Sequence, residues 1–325
     1  MAVIGVAGAT GALGREIIKA LESVPYKPDE VVPLARASSK TPFVEFDGRD
    51  IAVDDIRDEV LDRLDLLFLA LPPDAAMEWG TEAIRQGVAV VDLSGAMHGA
   101  GVPMGIPWVN PEALASAPGR ALCVPCPEAV LAASVLGPLD RAGLAGPSEA
   151  TFFVPASMSG RDAIQELSAQ VVALFNAGTP PRKIFRDGLA FDLLPSAGEP
   201  TGSGWTASEG RVADQVRALL DIDFTAVRVG VPVFSGLSME LRIEPQKRPV
   251  VDLVGQILRD GGVELEDGDT ARALPRPRRV EGRPFAQAGR IRVDQRGEVL
   301  RIWGAMDNLR ASATVAVGLG GILLR

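Results

Sequence analysis

The chain opens on a short apolar segment, Val3 to Ala7, that runs directly into the glycine-rich turn GATGALG, residues 8–14. Apolar side chains then recur at helical spacing, at Leu13, Ile17, Ile18 and Leu21. A strand, a glycine turn and an amphipathic helix in this order predict the first unit of a parallel sheet. In such a unit the backbone can approach a pyrophosphate held at the helix N-terminus. A tight turn without a ligand is the alternative.

Strands and helices continue to alternate after this turn. Leu66 to Leu71 is apolar throughout, as in a strand that is covered on both faces. We also predict strands at Glu30 to Leu34 and at Val88 to Leu93, and a helix from about Asp74 to Gln86. Phe43 to Val53 is predicted to form a hairpin that turns at Asp47-Gly48. This order predicts an α/β fold with an N-terminal parallel sheet.

The second half of the chain has a different pattern. Strands are predicted at Thr151 to Val154, Ala226 to Phe234, Glu240 to Ile243, GRIRVD and VLRIWG, with helices at Gln165 to Phe175 and Glu209 to Leu220. This mixture predicts an α+β domain on an antiparallel sheet that packs face to face with a partner. The switch from ELEDGD to PRPRR predicts an exposed loop. The C-terminal run ASATVAVGLGGILL predicts a helix packed into a core, because it is shorter than the roughly 20 residues of a membrane span.

Composition excludes several classes of protein. The chain carries 33 Lys+Arg and 42 Asp+Glu, a net charge of −9, so a nucleic-acid partner is not expected. One histidine, His98, and two cysteines, Cys123 and Cys126, exclude a disulfide scaffold and a Cys/His metal cluster. We expect no membrane partner. We also expect a cytoplasmic location, because no targeting segment is visible and cysteines are few.

Several segments, taken in order, resemble aspartate-semialdehyde dehydrogenases. They are GATGALGREIIKALE, DEVVPLARASSK, VVDLSGA, PWVNPEAL, PRPRRVEGRPFAQAGRIRVD and MDNLR. GRIR followed by DNLR is the most specific part. The resemblance implies a Rossmann-type domain that binds NADP, predicted at residues 1–128 plus 308–325. It also implies a catalytic and dimerisation domain, predicted at residues 129–307, and a homodimer.

The family reaction is the reversible reductive dephosphorylation of aspartyl phosphate, a step of amino-acid biosynthesis. A cysteine thiolate forms a thioester with the acyl group, hydride passes to or from nicotinamide, and a histidine moves the thiol proton. Aligned with the family, the cysteine position falls on Pro127 and the histidine position on Leu237. Neither side chain can do that chemistry, so the catalytic pair is predicted to be lost.

Other substrate positions of the family also differ here. The substrate arginine falls on Gly230, although Arg228 is near, and the substrate glutamine falls on Pro155. The family's phosphate-binding arginine aligns with His98. The family also has an acidic and a basic residue on one helix. The acidic position aligns with Ser208, and the basic position aligns with Arg211, which is still basic. His98 and Arg211 are therefore predicted remnants of a substrate pocket, and a small-molecule ligand in that cleft stays possible.

The cofactor side keeps more of the family pattern. The matching positions are Gly8, Thr10, Gly11, Leu13, Ser38 and Asn308. No acidic residue ends the second strand, where NAD-binding sites place a ribose ligand. Arg36, Ser38, Ser39 and Lys40 follow that strand instead, which favours NADP, with NAD and a merely solvated basic loop as alternatives.

The resemblance is greatest to paralogues that lack the catalytic cysteine, so the leading interpretation is an NAD(P)-binding pseudoenzyme. The alternative is an active NADP-dependent semialdehyde dehydrogenase that uses Cys126 as nucleophile. A helix N-terminus would make that thiol more reactive, and Glu128 could serve as its base or as a first-turn carboxylate. A redox role for Cys123 and Cys126 and a pair of inert buried thiols are also open.

Overall fold

The computed structural model describes residues 2–36, 41–115, 119–195, 198–266 and 274–325. The chain divides into two compact units, Met1–Cys126 with Ser312–Arg325, and Pro127–Ala311. A six-stranded sheet lies in each unit. We refer to them as the first unit and the second unit.

The first unit is built by alternating strands and helices. Its elements are β1 (Val3–Ala7), α1 (Ala12–Leu21), β2 (Glu30–Ala35), β3 (Phe43–Phe46), β4 (Arg49–Ala52), β5 (Asp54–Asp55), α2 (Asp58–Leu61), β6 (Leu66–Leu69), α3 (Pro73–Arg85), β7 (Ala89–Asp92), a 3-10 turn (Met97–Ala100), α4 (Pro111–Ala115) and β8 (Ala121–Cys123). The strand order is β5-β2-β1-β6-β7-β8, and every pair in this sheet is parallel. The predicted parallel sheet is confirmed.

Local sequence explains these elements. Strands β6 and β7 are buried along their whole length, and apart from Asp92 at the end of β7 their residues are apolar. The hairpin β3–β4 turns at Asp47 and Gly48, which have φ values of 51° and 72°. Two consecutive left-handed residues match the twist of the flanking strands. The hairpin and its turn are therefore as predicted.

The second unit contains the remaining elements. They are α5 (Pro127–Arg141), β9 (Ser148–Val154), a 3-10 turn (Ala156–Ser159), α6 (Arg161–Phe175), α7 (Ala207–Leu220), β10 (Phe224–Gly230), β11 (Leu237–Ile243), α8 (Val251–Asp260), β12 (Glu264–Leu265), α9 (Pro277–Val280), β13 (Gln287–Val293), β14 (Leu300–Met306) and the start of α10 (Asn308–Leu323). From Ser312 onward, α10 belongs to the first unit. The side chains of Ala313, Val315, Ala316 and Leu319 are fully buried, as predicted for the apolar C-terminus.

The predicted α+β domain with an antiparallel sheet is confirmed, and the sheet also contains two parallel pairs, so it is mixed. Its order is β10-β9-β11-β14-β13-β12. The central pairs are antiparallel, whereas β10 pairs with β9 and β12 with β13 in parallel. Strands β9 and β10 are joined through two helices, α6 and α7, and a crossover of that kind allows parallel pairing.

Two predictions in this unit need correction. The strand expected from Ala226 to Phe234 ends at Gly230, because Pro232 has no amide hydrogen for a sheet bond. The PRPRR segment was expected to be an exposed loop, but Pro277 to Val280 form the short helix α9, which begins on a proline as helices commonly do. Across the described residues, no helix is long and apolar enough to cross a membrane.

Candidate functional site

The glycine turn after β1 is dictated by close backbone packing. Gly8 has φ of +84°, and a Cβ atom there would lie 2.2 Å from the carbonyl oxygen of Ala70. A Cβ atom on Gly14 would lie 2.1 Å from the carbonyl oxygen of Gly8. The amides of Gly8 and Ala9 both donate to the carbonyl oxygen of Leu34, at 2.9 and 3.1 Å. These two glycines are therefore required to join strand and helix closely, with or without a ligand.

Gly11 has a different role, because it is the N-cap residue of α1. It is exposed, and no side chain caps the helix at this end. Leu13, in the first turn, is only partly buried although it is apolar, whereas Ile17 and Ile18 are fully covered. An exposed helix N-terminus at the carboxyl end of a parallel strand is where dinucleotide pyrophosphates bind. The first unit therefore fits the pyrophosphate of a dinucleotide.

The residues that favour a 2′-phosphate are only partly described. Arg36 follows β2 directly and is exposed. Ser38, Ser39 and Lys40 lie outside the described residues. Thr10 is half-buried, and its carbonyl oxygen accepts a hydrogen bond from Arg15 Nε at 3.3 Å.

His98 lies in the 3-10 turn that follows β7 and is half-buried. Its Nδ1 lies 3.0 Å from the carbonyl oxygen of Val102. Because a carbonyl oxygen only accepts, this contact favours the tautomer that carries hydrogen on Nδ1 and leaves Nε2 as the acceptor. The bond fixes the orientation of the ring within the turn.

The two cysteines have different surroundings. Cys123 ends β8, is fully buried, and its Sγ lies 3.7 Å from Oδ2 of Asp92. Burial and the nearby Asp92 carboxylate raise the pKa of the Cys123 thiol far above its ordinary value, so it stays protonated. Cys126 is half-buried and directly precedes the first residue of α5. Neither thiol forms a disulfide, and of the two only Cys126 has the partial exposure that a reactive cysteine needs.

Pro127 and Leu237, the two residues predicted to stand at the family's catalytic positions, have structural roles. Pro127 is the first residue of α5, where its fixed φ and missing amide hydrogen are tolerated. Leu237 opens β11, is fully buried, and pairs with Met306 of β14. A leucine enclosed in this way stabilises the core by roughly 1.5–3 kcal/mol. Neither residue offers a nucleophile or a base.

Gly230, at the family's substrate-arginine position, is also closed off. Its amide and carbonyl groups bond those of Leu194, at 2.8 and 2.9 Å. A Cβ atom on Gly230 would come within 3.2 Å of the Leu194 side chain. The Leu194 side chain therefore lies against the place that a long side chain at position 230 would need.

A buried ion pair that we did not predict lies beside these positions. Glu128, the second residue of α5, accepts a hydrogen bond from Arg228 Nε at 2.8 Å. The side chains are 2% and 10% exposed. A second buried acid, Glu209 of α7, accepts from the backbone amide of Arg228 at 2.9 Å and forms a capping box with Thr206. The apolar helix around Glu128 was the available signal, because a carboxylate in such surroundings requires a partner.

The DNLR motif is explained by helix capping. Oδ1 of Asp307 accepts from the amides of Leu309 and Arg310, both at 3.0 Å, at the start of α10. Oδ1 of Asn308 accepts from Ser157 Oγ at 3.1 Å and from the amide of Gly236 at 3.3 Å. Asn308 is buried and joins two loops of the second unit, which is a structural role whether or not it also meets a cofactor.

Arg211 is exposed on α7. Ser208 lies in the first turn of the same helix, and Pro155 precedes the 3-10 turn after β9. No group of three or more His, Cys, Asp or Glu side chains in the described part of the chain could hold a metal ion.

A surface groove of about 560 Å³ lies at the amino ends of β1 and β6. It is lined by residues that include Tyr26, Asp29, Asp65 and Arg120. Asp29 and Asp65 accept hydrogen bonds from the amides of Ala2 and Val3, so they fasten the start of β1. This groove is at the opposite end of the strands from the glycine turn, whereas parallel sheets bind ligands at their carboxyl ends.

Comparison with known proteins identifies both halves of the chain. Residues 3–117 match the NAD-binding domain of semialdehyde dehydrogenases, and residues 136–311 match their dimerisation domain. A USG-1 protein homolog from Azotobacter vinelandii is 30% identical over 99% of this chain and 97% of its own length. An aspartate-semialdehyde dehydrogenase from Aquifex aeolicus (strain VF5) is 28% identical over 99% of this chain and 98% of its own length. A probable aspartate-semialdehyde dehydrogenase structure from Pseudomonas aeruginosa superposes with a TM-score of 0.93 at 27% identity, covering 100% of this chain and 98% of that one.

Proposed function

Since the chain belongs to the semialdehyde dehydrogenase family, we propose that it is a member that binds NADP or NAD and does not catalyse the cysteine-dependent reaction of its relatives. The single observation that carries this proposal is the state of the two catalytic positions. Pro127 begins a helix, and Leu237 is fully buried as part of a strand. His98, the one histidine of the chain, is half-buried in a 3-10 turn of the first unit and bonds the Val102 carbonyl.

The proposed cofactor site uses Gly8, Thr10, Gly11 and Leu13, with Ser38 and Asn308 as further contacts. Gly8 and Gly11 support it, because they leave the N-terminus of α1 bare of side chains. Bound nicotinamide would supply a hydride acceptor or donor. The residues of this chain would bind and orient the dinucleotide through backbone amides, and Arg36 supports NADP over NAD by its position after β2.

An activity assay tests the catalytic part of the proposal. The purified chain would be mixed with aspartate semialdehyde, phosphate and NADP, and the nicotinamide absorbance followed. We expect no turnover above the uncatalysed rate. In parallel, NADPH and NADH fluorescence titrations should show binding, with NADPH bound more tightly. If neither dinucleotide binds, the glycine turn is only a structural turn and the cofactor part is wrong.

The partial exposure of Cys126 favours one rival function, an active NADP-dependent semialdehyde dehydrogenase with this thiol as nucleophile. Its position just before a 15-residue helix would stabilise a thiolate. The rival predicts turnover that Cys126→Ser abolishes and that the matched control Cys123→Ser retains. Such a result would replace the pseudoenzyme proposal.

We also propose that the chain forms a homodimer, with residues 1–128 plus 308–325 as its dinucleotide-binding domain and residues 129–307 as its substrate and dimerisation domain. Along β9 and β10, and over the first four residues of β14, buried residues alternate with more exposed ones. The half-exposed residues include Phe153 and Trp303, whose ring centres are 5.4 Å apart. Sedimentation analysis should give twice the mass of the chain.

A further inference from the structure

We propose that Glu128 is a resident carboxylate that occupies Arg228 and so excludes ligands that carry a free carboxylate from the former substrate site. The inference rests on the proposed function, since it assumes that this part of the second unit corresponds to the substrate side. It assigns a specificity role to an acid that lies next to the lost nucleophile position.

The first argument is the position of Arg228 on its strand. Side chains two residues apart in a strand point to the same face, roughly 6–7 Å from each other. Arg228 and Gly230 therefore share the buried face of β10, whose burial alternates along its whole length. The family's substrate arginine aligns with Gly230. An arginine thus remains on the same face, displaced by two residues.

The second argument is what this arginine binds. The Nε–Oε1 distance of 2.8 Å and the burial of both side chains make Glu128 a strong partner for the guanidinium. A carboxylate is also the group by which an amino-acid-type substrate would pair with an arginine. Glu128 therefore supplies from within the chain the charge that such a substrate would bring.

The third argument concerns the neighbouring acid. The carboxylate of Glu209 accepts from the Thr206 amide at 2.8 Å, from the Thr206 hydroxyl at 3.0 Å and from the Arg228 amide at 2.9 Å. These bonds hold it against the backbone and leave Glu128 as the ion partner of the Arg228 side chain. The Glu128 carboxylate already paired with the buried guanidinium disfavours a further anion at Arg228.

We therefore expect the former substrate site to accept ligands that place no free carboxylate near Arg228, such as neutral or cationic molecules. Removing the Glu128 carboxylate should reverse this preference. The test uses the full chain as wild type, Glu128→Ala, and the double variant Glu128→Ala/Arg228→Met. Thermal unfolding is measured in sodium acetate and sodium succinate, with sodium chloride at matched ionic strength as reference.

We expect acetate or succinate to raise the unfolding temperature of Glu128→Ala, with a carboxylate affinity at least about tenfold above that of the wild type, or about 1.4 kcal/mol. The wild type and the double variant should not respond beyond chloride. Equal responses in wild type and Glu128→Ala, or no response in Glu128→Ala, would overturn the inference. If Glu128→Ala does not fold, the longer Glu128→Gln variant is put through the same comparison and judged by the same outcomes.

NADPH fluorescence titration of the wild type separates the inference from the proposed function. A wild type that binds NADPH, together with a Glu128→Ala variant that ignores carboxylates, contradicts only the resident-carboxylate inference. A wild type that fails to bind NADPH, together with a carboxylate response that depends on Arg228, contradicts only the cofactor part of the proposed function.

Discussion

The glycine turn of the first unit and the substrate-side positions of the second unit are built from different parts of the chain. The turn is a backbone feature: Gly8 and Gly14 are forced by contacts with main-chain oxygens, and the end of α1 has no capping side chain. The substrate-side positions depend on side chains, and there Leu237 is enclosed and Arg228 is paired with Glu128.

Under the proposed function, this difference explains how cofactor binding is retained while the cysteine-dependent reaction is lost. A cradle of backbone amides survives most substitutions outside its glycines, because the amides do not depend on side-chain identity. A thiol and an imidazole are lost with one substitution each. In the second unit two buried polar pairs are bonded internally, Glu128 with Arg228 and Asn308 with Ser157.

The largest effect is expected from breaking the buried pair of the second unit. Arg228→Met leaves the Glu128 carboxylate buried without its partner, and we expect a loss of about 3–5 kcal/mol in the free energy of unfolding. Urea denaturation measures it. The matched double variant Glu128→Leu/Arg228→Met should recover most of the loss, since an apolar pair of similar volume can replace a buried ion pair. A double variant as unstable as the single one would show that the charge pair is not the cause.

The second-largest effect is expected from a substitution in the glycine turn of the first unit. Gly8→Ala introduces a Cβ atom 2.2 Å from the Ala70 carbonyl oxygen at a left-handed φ, so we expect a loss of about 3 kcal/mol and no NADPH binding. Gly48→Ala is the matched control, because Gly48 also has a positive φ but nothing lies within 4 Å of its Cβ position. It should cost less and leave NADPH binding unchanged. Similar behaviour of both variants would mean that the turn at Gly8 has no special role.

A third, smaller effect concerns an acid of the second unit that fastens a loop. Glu166 of α6 accepts from the amides of Lys183, Ile184 and Phe185, each at 2.9 Å. Burial of Glu166 acts to raise its pKa, but these bonds outweigh it and hold the pKa below its usual range. Its contribution to stability is therefore present above the usual glutamate pKa and is lost as the pH falls through the lowered value.

Glu166→Gln should cost about 1.5 kcal/mol at neutral pH and should flatten the acid limb of the stability curve. Urea denaturation between pH 3 and pH 7, which brackets the usual carboxyl range, measures both quantities. Glu45, an exposed glutamate on β3, provides the control variant Glu45→Gln. An unchanged acid limb in Glu166→Gln would contradict the assignment.

The smallest effect separates the two thiols. An alkylating reagent should label Cys126 in the native protein and leave Cys123 unlabelled, because Cys123 is buried and Asp92 opposes its ionisation. Mass spectrometry of the digested protein measures the ratio. Cys126→Ser should change the free energy of unfolding by no more than about 0.5 kcal/mol. If Cys123 were labelled as fast as Cys126, the carboxyl end of β8 would have to unfold locally often enough to expose its thiol, which would contradict this prediction.

Prediction from the sequence succeeded where the signal is local. The glycine turn, the buried strand β6, the Asp47-Gly48 hairpin and the apolar C-terminal helix each follow from a short pattern. It did not reach pairings between distant segments. The parallel pairing of β9 and β10 depends on a long crossover, and Gly230 also bonds the backbone of Leu194, 36 residues earlier. No periodicity within either segment carries that information.

Sequence by itself determined that positions 127 and 237 hold a proline and a leucine, so the family's thiol and imidazole are absent from them whatever the fold. It also determined the backbone turn, because a run of glycines directly follows an apolar strand and precedes an amphipathic helix. Tertiary structure alone decided that Glu128 meets Arg228 across 100 residues, and that Asn308 joins Ser157 to Gly236. These pairs form because helix packing and strand register bring distant polar groups together in the interior, where an unpaired charge would be too costly to bury.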